Sequence, residues 1–156
     1  SSWNEPKGMF QVNYGNSTTL TGSLLAAGDG YGDIVEFMVL NSAVVAGDIV
    51  KHHQSEWRQA DKDTEAYSTK MLGVALESYE SGVPKKVLLR GFVRLAAGHI
   101  SDTSGINGDP LYIGDTGHVT FDPPGSEDFV RIVGYCIDED KDIIYFNPSA
   151  VWVEKS

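Results

Sequence analysis

The chain has 156 residues, a formal net charge of −10 and 41% hydrophobic residues, which suits one globular domain with a core. The acidic balance argues against binding to nucleic acid, because affinity for phosphates comes mainly from Lys and Arg. We find no run of about 18 apolar residues and therefore expect no membrane partner. The single Cys136 lies in an alternating apolar run, so we expect a buried thiol without a disulfide.

Residues 1–32 predict an extended N-terminal arm. They mix Gly, Ser, Thr and Asn with isolated large apolar side chains, and these side chains show no sustained period. Such a tract suits a segment that becomes ordered on the surface of a neighbouring molecule. The side chains that we expect to make these contacts are Trp3, Met9, Phe10, Tyr14 and Leu20.

Residues 33–156 predict an all-β domain. Short runs rich in Val, Ile, Leu and aromatic residues alternate with Gly, Asp and Pro turns, which is the pattern of strands joined by turns. One polar segment, 61–71, fits either a short helix or a loop. We therefore expect a single β-barrel or sandwich with at most one short helix.

An internal similarity predicts that this domain contains two similar β-meander units. The stretch GDIVKHHQSEWRQAD at 47–61 overlies GDPLYIGDTGHVTFD at 108–122 without a gap, at an offset of 61 residues (108 − 47). Gly73 and Gly134 have the same offset. If the repeat is real, each unit buries the face that the other leaves exposed. Few residues are identical, so a chance match is the alternative.

The histidines do not have the spacing of a metal site. His52 and His53 are adjacent in a hairpin-like stretch, where neighbouring strand residues point to opposite faces. His99 and His118 are far apart in sequence and lack a ligand motif. The run DEDKD at 138–142 begins like a calcium loop but lacks the glycine and glutamate that should follow. We therefore expect neither a metal nor a cofactor.

No catalytic motif supports an enzyme. There is no G-x-S-x-G, and no cysteine is paired with a nearby histidine in the sequence. A binding role would need exposed aromatic rings that can stack on sugars, and the candidates are Trp57, Tyr112 and Trp152. Their positions in alternating runs favour the alternative, which is packing in the core or in a hairpin.

The longest informative stretches are LLRGFVRL at 88–95 and VRIVGYCIDEDKDIIYFNPSAVWVE at 130–154. Together with AGDIV, LGVALES and PLYIGDTGHVT, they resemble a module of tailed-phage virion-surface proteins. These include head decoration or cement proteins, head fibres and the C-terminal parts of tail fibres. The resemblance covers about residues 44–154. It implies a β-rich, non-enzymatic structural protein, often trimeric, on the outside of a capsid.

The chain lacks the long heptad or collagen-like stalk of the fibre proteins, which favours a decoration protein. The resemblance then implies that the major capsid protein is the partner, that the chain forms a homotrimer, and that it lies on the outer capsid surface of the virion. The expected function is to bind and stabilise the capsid lattice. The alternative is a fibre-type module that binds a receptor or a glycan.

Overall fold

The computed structural model describes residues 24–38, 43–54, 56–63, 69–102, 104–123, 125 and 128–154. Strands account for nearly all of the regular structure in these ranges, and the all-β prediction is confirmed. The strands are β1 (Gly30–Met38), β2 (Ile49–His53), β3 (Glu56–Gln59), β4 (Leu72–Ala75), β5 (Pro84–Arg94), β6 (Pro110–Ile113), β7 (Val119–Thr120), β8 (Phe129–Val130), β9 (Ile132–Asp138), β10 (Ile143–Phe146) and β11 (Val153–Glu154).

Helical structure within the described residues is confined to one 3-10 turn at Glu139–Lys141. The segment considered for a short helix, 61–71, is described only in part, and its residues 64–68 lie outside the described ranges. Its two described ends form turns and bends. In the part of the chain that the structure describes, no helix is long and apolar enough to cross a membrane.

Nine of these strands form one strongly curled sheet that has the shape of a half-barrel. The strand order is β3-β2-β4-β5-β10-β9-β6-β7, and β1 pairs with β5. All of these pairs are antiparallel. Strands β8 and β11 form a separate two-stranded sheet. Antiparallel strands that follow one another closely are the expected product of period-2 runs separated by glycine turns.

Two equivalent turns begin the two predicted units. Residues 45–48 and 106–109 each place a glycine at the third position, Gly47 with φ +90° and Gly108 with φ +97°, a conformation that glycine adopts without strain. The aspartate at the fourth position of each turn accepts a hydrogen bond at 3.0 Å from the N–H of the first residue. The same short sequence pattern therefore starts β2 and β6.

The strand order supports the two-unit prediction, because β3-β2-β4 and β7-β6-β9 occupy mirrored places in the sheet. The pairing register also follows the offset of 61, since Val50 pairs with Gly73 and Leu111 pairs with Gly134. The two units differ in the side of the sheet to which their aligned side chains point. Val50 belongs to a cluster on the outer face, whereas Leu111 belongs to the interior cluster. The direction of side chains alternates with a period of 2 along a strand, and here the two units are in opposite phase.

Both units contribute to the interior core of the half-barrel. Aliphatic side chains from neighbouring strands meet there, as β-branched and aromatic residues do on a pleated surface. The fully buried thiol of Cys136 is part of this cluster, as expected, and no disulfide involves it. The main members are Ile49, Leu72, Val74, Leu88, Val93, Leu95, Leu111, Ile113, Val119, Val133, Cys136, Ile144 and Phe146.

A second core lies on the outer face of the first unit. Trp57 is its largest member, and Phe37 of β1 packs against the indole with ring centroids 5.1 Å apart. The ring of His52 lies 5.0 Å from the same indole. Strands β2, β4 and β5 are thus buried on both faces in this region.

The predicted boundary between arm and domain, at 32/33, falls inside β1. Leu24 is 1% exposed, and residues 30–32 pair with β5. The described part of the predicted arm, 24–32, therefore belongs to the domain, because the pairing of β1 with β5 begins at Gly30. Residues 1–23 lie outside the described residues, and with them all five predicted arm contacts.

Candidate functional site

A row of four aromatic side chains and one proline crosses the outer face of the sheet. The pairing register places Tyr31 of β1 opposite Phe92 of β5, and Phe92 opposite Tyr145 of β10. Tyr145 lies opposite Tyr135 of β9, and Tyr135 lies opposite Pro110 of β6. Cross-strand partners share one face of a sheet. We call these five residues on five strands the aromatic row.

The aromatic row lies on the side of the sheet away from the interior core. The residues that flank it along the strands, such as Val93, Ile144 and Cys136, belong to the interior cluster. Side chains alternate along a strand, so the row faces outward. Tyr31 is 47% exposed and Tyr135 is 44% exposed. The row is therefore open at both of these tyrosines.

Phe92 and Tyr145 are less exposed than the two tyrosines on either side of them, Tyr31 and Tyr135. The rings of Phe92 and Tyr145 have centroids 4.9 Å apart and planes tilted by 45°. Both side chains are half-buried. Contacts of this kind between aromatic rings stabilise the arrangement beyond the area that they bury. The two rings in contact lie between the two exposed tyrosines and form a packed apolar surface there.

Glycines next to the row allow the strands to approach closely. A Cβ atom on Gly91, whose φ is +142°, would lie 2.0 Å from the carbonyl oxygen of Tyr31. A Cβ atom on Gly134 would lie 2.0 Å from the carbonyl oxygen of Tyr145. Only glycine leaves room for these approaches of the neighbouring backbones. Large rings on the outer face next to such glycines are consistent with the strong curl of the sheet.

The side chains of the row carry no charge at neutral pH, and the charged groups lie beside it. Arg90 and Asp33, two residues away along β5 and β1, form an exposed ion pair at 3.4 Å. Arg94 donates hydrogen bonds at 3.1 Å to the carbonyl oxygens of Leu24 and Leu25, which tie the start of the described chain to β5. The row is thus a neutral strip bordered by hydrogen-bonding groups.

A different polar site lies where the two ends of the curled sheet meet. The turn at 114–118, between β6 and β7, hydrogen-bonds to the first unit. The N–H of Gly117 donates to Ala60 O at 2.8 Å, and Gly117 O accepts from the N–H of Ile49 at 3.0 Å. The N–H of Lys62 donates to Gly114 O at 3.0 Å. We call this junction the seam.

The carboxylate of Asp48 is buried at the seam and accepts several hydrogen bonds. His99 Nε2 lies 2.5 Å from one oxygen, and Gln59 Nε2 donates to the other at 2.9 Å. Burial raises the pKa of Asp48, but the hydrogen bonds from His99, the Val45 N–H and Gln59 outweigh it and hold the pKa below the ordinary value of 3.8. The carboxylate therefore stays ionised and holds the seam together.

The seam also brings together two histidines that are distant in sequence. The rings of His99 and His118 stack with centroids 4.1 Å apart and planes 23° from parallel. His118 Nδ1 lies 2.7 Å from Thr116 O, within the same turn. The Asp48–His99 contact joins the two ends of the sheet, and nucleophilic catalysis by such a pair would need a third, reactive group beside it.

An acidic cluster beside the seam contains a lysine side chain that pairs with several of its carboxylates. Oxygens of Asp61, Asp63 and Asp115 lie within 4.8 Å of one another, a spacing that could hold a metal ion. Lys62 Nζ lies 2.9 Å from Asp63, 3.0 Å from Asp128 and 3.5 Å from Asp115. The hydrogen bonds with Asp63 and Asp128 raise the pKa of Lys62 above its ordinary value. The ammonium group therefore balances much of the charge that would attract a metal ion.

The three aromatic residues proposed from the sequence have different environments. Trp57 is fully buried in the second core and has no exposed ring face, so in this fold it is a packing residue. Tyr112 lies between Leu111 and Ile113, which both face the interior, so it lies on the outer face two residues from Pro110. Trp152 is 38% exposed and packs edge to face on Phe129 of β8, a strand that does not belong to the row.

Sequence reasoning named Tyr112 as a candidate ligand-facing residue, with packing as the alternative, but did not identify Tyr31, Phe92, Tyr135 or Tyr145. Each belongs to an ordinary alternating strand, and the pairing of distant strands brings them into line. One local signal was present, because Tyr31, Phe92 and Tyr135 each adjoin a glycine. The Asp48–His99 contact has no local signal, since 51 residues separate the two side chains.

No model of a known protein family matches the sequence, and a search of curated proteins finds no significantly similar sequence.

Proposed function

We propose that this protein is a non-enzymatic capsid decoration protein of a tailed phage. It binds the outer surface of the major capsid protein lattice, as a homotrimer, and stabilises the shell. The sequence resemblance over residues 44–154 and the curled all-β architecture support this proposal. In the described residues, the side chains of the seam hydrogen-bond one another and the backbone and so close the fold.

The observation that carries the proposal is the fixed point at which residues 1–23 join the domain. Leu24 is buried, and Arg94 holds the carbonyl oxygens of Leu24 and Leu25. A segment of 23 residues can span up to about 75 Å when extended, which is enough to reach neighbouring subunits on a lattice. Anchoring at one end makes binding of the arm intramolecular once the domain has bound.

Binding to capsids tests this proposal directly. Purified protein is mixed with capsids that have been stripped of their decoration proteins, the particles are pelleted, and bound copies are counted. A decoration protein saturates at a copy number in proportion to the major capsid protein. Binding at a few positions per particle would instead indicate a fibre-type role, and no binding would contradict the proposal.

Variants of the arm test its contribution within the full chain. The substitutions Trp3→Ser, Phe10→Ser and Tyr14→Ser, made together, should weaken capsid binding while thermal unfolding stays unchanged. The matched control replaces Asn4, Asn13 and Asn16 by Ser and should bind normally. Equal binding by both triple variants would exclude an arm contact. Light scattering coupled to size-exclusion chromatography then tests the trimer, which predicts three chains per particle.

A further inference from the structure

We propose that the aromatic row is a binding site for a neutral oligosaccharide. This inference goes beyond the attachment to capsids, because the row faces outward and attachment through the arm does not use it. The ligand class is argued from three features of the row, namely its exposed rings, its lack of charge and its contrast with the aromatic core of the first unit.

The exposed rings are arranged for stacking along an extended ligand. Tyr31 and Tyr135 are separated by three strand-to-strand steps, or about 14 Å in the direction of pairing. Between them lie the half-buried rings of Phe92 and Tyr145. Aromatic faces bind the C–H faces of sugar rings, and phenol hydroxyls donate to and accept from sugar hydroxyls. A linear chain of sugars can therefore contact both exposed tyrosines at once.

The negative charge of the protein disfavours anionic ligands and favours uncharged ones. The chain has a net charge of −10, so it repels anionic polymers, and a second copy of the chain carries the same charge. The row itself has no charged member, and the ion pair of Asp33 and Arg90 at its border offers both donors and acceptors. An uncharged ligand rich in hydroxyl groups matches a neutral strip with such a border.

The aromatic core of the first unit shows how similar side chains pack when their role is structural. Trp57 has no exposed surface, and two other rings cover it within 5.1 Å. The tyrosines at 31 and 135 keep nearly half of their surface exposed, although they lie in the same sheet. Large exposed aromatic rings in a line are a feature of ligand-binding surfaces.

The first experiment screens the full-length protein for binding to sugars. The probes are maltohexaose, cellohexaose, chitohexaose and mannohexaose as neutral ligands, with oligomers of alginate and of sialic acid as anionic ones. Binding is followed by NMR of protein labelled with ¹³C at the tyrosine rings. We expect at least one neutral hexasaccharide to shift the signals of Tyr31 and Tyr135, while the anionic oligomers shift neither.

Variants then locate the site. The changes Tyr31→Ala and Tyr135→Ala should each weaken binding of that hexasaccharide about tenfold, because each removes one stacking contact. Two control variants, Val83→Ala and Trp152→Ala, remove exposed apolar surface outside the row and should leave the affinity unchanged, since Val83 lies nine residues before Phe92 in the chain. Unfolding of each variant in urea shows that the fold is intact.

Three outcomes would overturn the proposal. The first is that no neutral hexasaccharide binds the full chain, and the second is that only anionic oligomers bind. The third is that binding survives both tyrosine substitutions or is lost in Trp152→Ala alone. The capsid-pelleting assay of the two tyrosine variants separates this inference from the proposed function. Normal capsid binding with loss of sugar binding supports both, and failure of the sugar assay leaves the capsid result standing.

Discussion

The two β-meander units have the same strand order and the same pairing register, yet their outer faces differ. In the first unit the outer face is covered, and Val50, Trp57 and Ala75 form a second core there. In the second unit the outer face is open and presents Tyr112 and Tyr135. The backbone arrangement is shared, so the choice of side chains on the outer face decides which unit packs and which can bind.

The outer faces of the two units differ because β1 covers only one of them and because aligned side chains of the two units point to opposite sides of the sheet. Val35 and Phe37, at the end of β1, pack against the outer face of the first unit. At the beginning of β1, strand β5 separates β1 from β10 of the second unit. This part of β1 contributes the exposed Tyr31 to the row and does not cover the outer face of β10 or β9. One strand thus completes a core at one end and extends an open row at the other.

The strongest test of this comparison removes the centre of the second core. Trp57→Ala should lower the free energy of unfolding by about 3–5 kcal/mol, since it deletes a large, fully buried side chain. Urea denaturation measures the change. As a control, Trp152→Ala deletes a partly exposed indole and should cost clearly less. Equal losses in the two variants would mean that the outer face of the first unit is not a core.

A second test acts on β5, the strand to which both halves attach. Gly91→Ala should cost about 3 kcal/mol, because the new Cβ meets the Tyr31 carbonyl at 2.0 Å and φ is +142°. Gly82→Ala is the matched control, since its φ of +81° is also positive but nothing lies within 4 Å of its Cβ. It should cost only about 1 kcal/mol by thermal or urea unfolding. Similar losses would show that backbone strain alone acts at Gly91.

A third test opens the seam between the two units. Asp48→Ala should cost about 2 kcal/mol, because it leaves His99, Gln59 and the Val45 N–H without their acceptor. The pKa of Asp48 is lowered in the folded protein, so its contribution is complete above the ordinary value of 3.8 and is lost as the pH falls through the folded value. The difference in unfolding free energy between wild type and variant should therefore be constant near neutral pH and shrink in acid. A difference that grew below pH 3.8 would contradict this assignment.

The smallest effect is expected at the open face. Tyr135→Phe removes only a hydroxyl group from a ring that is 44% exposed, so the unfolding free energy should change by less than about 0.5 kcal/mol. Urea denaturation of this variant and of Trp57→Ala compares the contributions of the two outer faces to the free energy of unfolding. A loss above about 1 kcal/mol would show that the row is a structural element, as the second core is.

Much of the fold was predictable from local patterns. The glycine turns before β2 and β6 and the period-2 runs predicted strands. The predicted two-unit repeat agrees with the observed pairing, because Val50 pairs with Gly73 and Leu111, 61 residues later, pairs with Gly134. The alignment did not predict to which side of the sheet the side chains of each unit point, because a shift of one residue exchanges the two faces of a strand. Strand β1 begins three residues before the predicted boundary at 32/33, because its glycine-rich start lacks a clear strand pattern.

The sequence by itself determined the strand class, the turns, the acidic charge and the interior position of Cys136, since each depends on residues close together in the chain. Only the tertiary structure decided the aromatic row and the seam. The row needs five strands in register, from Tyr31 to Pro110, and the seam needs the sheet to curl until Asp48 meets His99. Both depend on strand pairing and curvature, which arise from contacts between residues far apart in sequence.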